Sequence, residues 1–198
     1  MNTKLYEKIT DALVKDGYIV IEDALGSQLP LALYEASLQE ENYKLAGISA
    51  GLQLHTDTKK RSDKTKWLEE SESVENRYLT FAKELQEYLN RSLYLGLSYY
   101  EAHFAIYEEG DFYEKHLDAF KNSKNRVVTT VLYLNKNFTK EDGGELVIYD
   151  ENGKMIQEVT PKLGTLVVFL SERFPHEVKP AKSKRHSIAG WFRVDKRC

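Results

Sequence analysis

From Tyr99 onward the apolar residues alternate with polar ones in short runs, at residues 99–107, 126–134, 145–149, 165–169 and 187–193, each bounded by Gly, Asn or Asp turns. Runs this short and this regularly interrupted can bury an apolar face only by pairing into antiparallel sheets and packing one sheet on another. The first half of the chain has a different period. Leu5, Ile9, Ala12 and Leu13 recur at helical spacing up to Asp16 and Gly17, and Tyr18, Ile19, Val20 and Ile21 then read as a brief buried strand. Gly26 and Ser27 open a second helix at about residues 29–42, with Pro30 tolerated in its first turn. Val74, Tyr78, Phe81, Leu85, Leu89 and Leu93 mark a long helix that ends before Gly96. The fold class is therefore mainly β with supporting helices (α+β), the helices forming a buttress on one face of a sheet.

Between the second and third helices, residues 44–71 carry no helical period and mix glycines, short apolar pairs and many charges, the pattern of a hairpin or long loop. Loops of that length inside a compact domain are usually functional or disordered. At 198 residues the chain has room for one domain with a full core. We expect a single domain over 1–198, with 1–96 as helical buttress and finger, the finger being 44–71, and 97–198 as the catalytic β core. No apolar run approaches the roughly 18 residues that would cross a bilayer, and the first residues lack a signal-peptide core, so the expected location is the cytoplasm. The single cysteine, Cys198, excludes an internal disulfide. The net charge of −3 argues against nucleic acid as a partner, although residues 171–198 hold eight Lys or Arg against three Asp or Glu.

The residues that carry chemistry lie in the β half. On a strand, His116 and Asp118 stand two apart and share a face, so both can reach one ion. His176 follows far downstream on another strand, and Arg185 comes nine residues after it. Two imidazoles and one carboxylate leave positions open on an octahedral metal, which suits Fe(II) that must also bind a co-substrate and oxygen. A His-x-Asp pair alone is a weak signal. Its context is more specific: Tyr107, Gly110, Tyr113 and His116-Leu117-Asp118; Val131, Leu132 and Tyr133; Gly143, Gly144 and Leu146; Gly164; and His176, Val178, Pro180, Arg185 and Trp191 in that order.

Together these motifs resemble the 2-oxoglutarate- and Fe(II)-dependent prolyl hydroxylases, in particular the prolyl hydroxylase domain enzymes of the hypoxia-sensing type and their bacterial relatives, over about the last half of the chain. The resemblance implies a double-stranded β-helix, or jelly roll, with the metal inside one open end. It implies that His116, Asp118 and His176 hold Fe(II), and that the cofactors are Fe(II), 2-oxoglutarate and O2, with ascorbate as reductant. Arg185 and Tyr133 would bind the far carboxylate of 2-oxoglutarate, with Tyr107, Val131, Leu146 and Val178 as pocket walls; one residue fewer separates Tyr107 from His116 than in the animal enzymes. By alternation Ser187, Ala189 and Trp191 share the face of Arg185, while His186, Ile188 and Phe192 face away.

Arg61, Asp63 and Trp67 match an Arg-x-Asp-x-x-x-Trp pattern that the family carries on a finger covering its peptide substrate; the other reading is a charged turn with Trp67 docked on the core. The resemblance places Arg61, Asp63, Trp67 and Trp191 against a protein substrate with a loop proline, and the bacterial relatives suggest a translation factor, elongation factor Tu, as that substrate. A 2-oxoglutarate oxygenase acting on a free amino acid, and a non-catalytic metal-binding module, are the alternatives. His55, His103 and His186 read as hydrogen-bonded core or rim histidines outside the site.

Overall fold

The computed structural model describes residues 2–50, 53–55, 60–119 and 125–194. Helix α1 is Thr3–Lys15, strand β1 Tyr18–Ile21 and helix α2 Gln28–Gln39; short strands β2 (Lys44–Leu45), β3 (Ile48–Ala50), β4 (Gln53–His55) and β5 (Lys64–Trp67) follow, and α3 is Ser73–Leu93. The β half contributes β6 (Tyr99–Tyr107), β7 (Tyr113–His116), β8 (Arg126–Tyr133), β9 (Leu146–Tyr149), β10 (Met155–Val159), β11 (Leu166–Leu170), β12 (His176–Val178) and β13 (Arg185–Arg193). A seven-stranded sheet has the order β1-β11-β8-β13-β6-β5-β2, a four-stranded sheet the order β10-β9-β12-β7, and β3 and β4 pair as a separate hairpin. All the pairings within named strands are antiparallel.

The two-residue period of the large sheet divides the interior into two cores. Val128 and Leu132 of β8, Leu166 and Val168 of β11, and Ile188 and Phe192 of β13 point outward, where they meet Tyr6, Ile9 and Leu13 of α1, Leu33 of α2 and Tyr78, Phe81, Leu85 and Leu89 of α3. The alternate residues Ala105, Tyr107, Val131, Tyr133, Val167 and Phe169 point the other way and pack against Leu146, Ile148, Val159 and Val178 of the small sheet. The helices thus cover one face of the large sheet and brace it, which frees the opposite face to line a barrel-like interior. Fully burying one such aliphatic side chain contributes about 1.5–3 kcal/mol, so the outer core holds the frame in which the inner residues are aimed.

Three expectations change in detail. Helix α2 stops at Gln39 instead of near Asn42: Glu40 is extended (φ −76°, ψ 124°), and its carboxylate accepts the Asn42 N–H at 2.9 Å, a local turn that competes with another helical turn. Strand β10 is absent from the sequence expectation, yet the signal was present in Asp150-Glu-Asn-Gly153, where the Asp150 carboxylate accepts the N–H groups of Asn152 (2.9 Å) and Lys154 (2.8 Å) and turns β9 back into β10. Within 44–71, β5 pairs with β6 and β2 with β5, so both ends of the finger extend the large sheet. Finger positions 51–52 and 56–59, the side chain of His55, and Cys198 lie outside the described residues. Among the described residues no helix is long and apolar enough to cross a membrane.

Candidate metal centre

His116 ends β7 and His176 begins β12, and the two are direct cross-strand partners, which brings their ring centroids to 4.3 Å. Asp118 lies in a bend just past the end of β7, not on a continuous strand. Its Oδ1 is 3.6 Å from His116 Nε2 and its Oδ2 3.6 Å from His176 Nε2. The potential ligand atoms of all three residues lie within 4.8 Å of one another. The sequence-predicted triad is thus assembled by one strand pair and one bend.

The protonation of the triad also suits a cation. His116 Nδ1 contacts the Glu114 carbonyl at 2.7 Å and His176 Nδ1 the Phe174 carbonyl at 3.0 Å. A carbonyl can only accept, so each Nδ1 carries a proton and the other ring nitrogen, Nε2, is the one that faces Asp118. Burial, together with the nearby His116, lowers the His176 pKa to about 4. Burial alone would raise the Asp118 pKa, but His176, His116 and Arg126 outweigh it and hold the carboxyl well below its ordinary range. Near neutral pH the set is a carboxylate with a neutral imidazole at His176, the form that binds metal without first losing a proton there.

Deeper in the same interior, Arg185 is 2% exposed and pairs with no carboxylate among the described residues; its Nη1 donates to Ser187 Oγ at 3.2 Å and its Nε has no hydrogen-bond partner. Its guanidinium carbon lies 4.7 Å from the Tyr107 ring centroid and 5.0 Å from that of Tyr133. The buried Tyr133 hydroxyl also lacks a partner, and burial pushes its pKa up, so it remains a donor. A buried guanidinium with no anionic partner and an unmet Nε, beside a buried phenol with nothing to donate to, calls for an anionic acceptor, and a planar carboxylate fits that fork. Gly144 makes the arginine's position possible: a Cβ there would stand 2.8 Å from Arg185 Cδ. Tyr107, Val131, Leu146 and Val178 all belong to the surrounding apolar cluster, and Phe169 packs edge-on against His176 at 4.8 Å. The residues present therefore fit both a divalent metal and a short dicarboxylate.

The finger residues divide. Arg61 and Asp63 form a bidentate pair at 2.8 and 2.6 Å, and Asp63 is 1% exposed, so both carboxylate oxygens are engaged inside the protein rather than offered outward. The Arg61 guanidinium carbon lies 4.4 Å from the centroid of Tyr113, whose ring stacks on His116 at 3.5 Å and 16°. The backbone is stitched to β7 as well, Glu114 N–H donating to the Lys60 carbonyl (2.8 Å) and Ser62 N–H to the Phe112 carbonyl (3.2 Å). Trp67 is 52% exposed and stands edge-on to His103 at 5.1 Å, while Trp191 packs on the other side of that histidine at 5.4 Å and beneath Arg126 at 3.8 Å. His103 and His186 are buried and hydrogen-bonded, to the Phe104 carbonyl and Ser37 Oγ. Tyr113 stands in the motif that precedes His116, but its stack on that ring had no sequence signal, and Ser171, bonded to the residue after Asp118, had none at all.

Residues 102–193 match the family model of the 2OG-Fe(II) oxygenase superfamily. Human Egl nine homolog 1 is 29% identical over 94% of this chain, a match that spans 46% of that protein, and the chain spans less than half the length of the rat and mouse proteins of the same name. Among solved structures, a Pseudomonas putida prolyl-4-hydroxylase is 34% identical with a TM-score of 0.87, covering 96% of this chain and 99% of that one. A Trichoplax adhaerens prolyl hydroxylase in complex with a hypoxia inducible factor oxygen degradation domain peptide fragment is 26% identical with a TM-score of 0.86, covering 98% of this chain and 91% of that one. Taken with the triad and the unpaired buried arginine, these likenesses place the chain in the 2OG-Fe(II) oxygenase superfamily, as a member of its prolyl hydroxylase family.

Proposed function

We propose that this chain is a 2-oxoglutarate- and Fe(II)-dependent dioxygenase that hydroxylates a prolyl residue in a loop of a protein substrate. The observation that carries the reading is the pairing of a His-Asp-His triad with a buried arginine that has no carboxylate partner and whose Nε is unmet, beside a buried tyrosine hydroxyl that lacks an acceptor, in the same interior. His116, Asp118 and His176 hold the iron; Arg185 and Tyr133 hold the far carboxylate of 2-oxoglutarate; Tyr107, Val131, Leu146 and Val178 keep the pocket apolar and limit water. Iron with these co-substrates supplies the chemistry, coupling decarboxylation of 2-oxoglutarate to succinate with insertion of one atom of O2 into a C–H bond. The protein's own part is orientation, and none of its side chains needs to move a proton in the hard step. Ascorbate serves as reductant for the iron.

The substrate lies across the barrel mouth against the exposed Trp67, with the buried Trp191 supporting that rim from beneath Arg126 and the Arg61–Asp63 pair holding the base of the finger that covers it. A pyrrolidine ring is compact enough to lie against such a rim, and extended backbone on either side of it can bond to the finger. The target we favour is a translation factor, elongation factor Tu, and the location the cytoplasm. Incubating the purified protein with Fe(II), 2-oxoglutarate and O2, with and without elongation factor Tu, tests both levels. Succinate should form only with O2 and be lost in Asp118→Ala, and mass spectrometry should find one added oxygen on a proline. Equal succinate release by Asp118→Ala would remove the triad from the reaction; oxygen added to free proline but to no protein would replace the substrate class.

A further inference from the structure

The two histidines of the triad are carried by hydrogen-bonded strands, but Asp118 sits on the bend beyond β7, where no ladder fixes its side chain. It is nevertheless only 5% exposed, and its carboxylate is held from behind. Thr129 Oγ1, on the neighbouring β8, lies 2.8 Å from Asp118 Oδ2, and Ser171 Oγ lies 2.8 Å from the same Thr129 oxygen. Thr129 and Ser171 are 1% and 0% exposed, so these hydroxyls have no solvent to turn to. The direction of the chain follows from donor counting. An ionised carboxylate only accepts, so Thr129 must give it its single proton; the Thr129 oxygen is then an acceptor, and the hydrogen between the two hydroxyls must come from Ser171. Ser171 is itself tied to the frame, since its N–H donates to the Val127 carbonyl at 3.0 Å and its carbonyl accepts from the N–H of Ala119, the residue after Asp118, at 3.4 Å.

We propose that Ser171 and Thr129 are positioning residues for the metal ligand Asp118: a one-way hydrogen-bond chain, Ser171 to Thr129 to Asp118, that replaces the missing strand ladder and keeps the carboxylate turned toward the histidines before any ion arrives. This deepens the metal-site reading above and rests on it. The chain gripping the carboxylate and the backbone bond gripping Ala119 act from the same serine, so the bend is held on both sides of the ligand. Preorganising a ligand in this way matters more for affinity than for the fold, because an untethered carboxylate could turn away at little cost to the core. Outer-shell partners of metal ligands typically account for about 10–100-fold in affinity.

Cobalt(II) binding to the metal-free protein, followed by its visible absorption in the absence of 2-oxoglutarate, reads this without turnover. Thr129→Val keeps the shape but removes the donor, and should weaken Co(II) binding by about 10–100-fold and change the absorption band. Thr129→Ser restores the hydroxyl and should bind like the parent; Ser171→Ala keeps the last link and should fall between. Asp118→Ala separates the two levels of the argument. If Asp118→Ala binds Co(II) as the parent does, the triad reading itself fails. If Asp118→Ala loses binding while Thr129→Val or Ser171→Ala binds with parental affinity and spectrum, the triad stands and the positioning chain is overturned. Should Thr129→Val not fold, Ser171→Ala alone decides, since unchanged affinity there also overturns the chain.

Discussion

Arg185 shows how far single residues could be read from the sequence. Alternation from Arg185 through Ser187 and Ala189 to Trp191 fixes which face of β13 turns inward, and the structure places Arg185 and Ser187 in contact there, with His186 on the opposite side against Ser37. The basic residue next to it, Lys184, pairs with Glu108 at 3.1 Å with half its side chain exposed, so it does not reach the interior. Lysine in place of Arg185 keeps the charge but loses the planar fork and leaves volume beside Gly144. Arg185→Lys should therefore raise the 2-oxoglutarate concentration needed for half-maximal turnover about tenfold or more, corresponding to roughly 1.5 kcal/mol of bidentate bonding. Co(II) affinity measured without 2-oxoglutarate should stay at the parental value, and a variant with unaltered 2-oxoglutarate dependence would show that the carboxylate is held elsewhere. The triad was legible because ligand types at i and i+2 are a local pattern, and alternation also puts Thr129 on the face of Tyr133; the partners of Thr129, Ser171 and Tyr113 were not legible, because a hydroxyl or a ring finds its partner only through sheet register.

Among the elements, helices α1 and α3 were legible from apolar spacing alone, whereas the finger had no period to read and its structure comes from pairing with distant strands. Its C-terminal limb joins the two sheets: residues 60–62 bond to β7 of the small sheet, and β5 continues straight into the large one through β6. The Arg61–Asp63 pair sits at that junction, and its burial makes it unequal under mutation. Removing Arg61 alone leaves a carboxylate buried and unpaired, which costs about 3–5 kcal/mol, while removing both partners takes away the charge together with its need for a partner. Arg61→Ala should thus be less stable in urea than Arg61→Ala with Asp63→Ala, and strictly additive losses would show that the two do not act as a unit. Arg61 also covers the Tyr113 ring that stacks on His116, so the finger is not remote from the metal ligands. Loss of Arg61 is accordingly expected to depress substrate-free 2-oxoglutarate turnover as well as peptide hydroxylation, and Trp67→Ala, at an exposed position, is the cleaner probe of peptide contact.

At the scale of the whole molecule, the two cores on either side of the large sheet each bury a histidine that the proposed chemistry does not use. His186 lies between α2 and β13, with the Ser37 hydroxyl 2.9 Å from its Nδ1 and the Tyr34 ring edge-on at 5.3 Å; Ser37 gives its own proton to the Tyr34 carbonyl at 2.7 Å, so His186 donates to it as a neutral ring. His103 is enclosed by Trp67 and Trp191 on the other face. Burial lowers both pKa values to about 4, helped by Lys184 at His186 and by Arg61 at His103. In the unfolded chain each histidine titrates near 6.5, so between about pH 6.5 and 4 the unfolded state binds more protons than the folded one. The stability from keeping these rings neutral is complete above about pH 6.5 and is lost as pH falls toward 4, on the order of a few kcal/mol in total. His176 adds to the same trend in the metal-free protein, and a bound ion should suppress its share. Urea denaturation midpoints of the metal-free protein should fall steadily from pH 7 to pH 4.5, and His186→Gln, which cannot be protonated in that range, should flatten the curve. A midpoint independent of pH, or a slope unchanged in His186→Gln, would mean that the helix-covered side of the sheet admits a charged imidazole and is not the sealed buttress on which the aim of Arg185 and the triad depends.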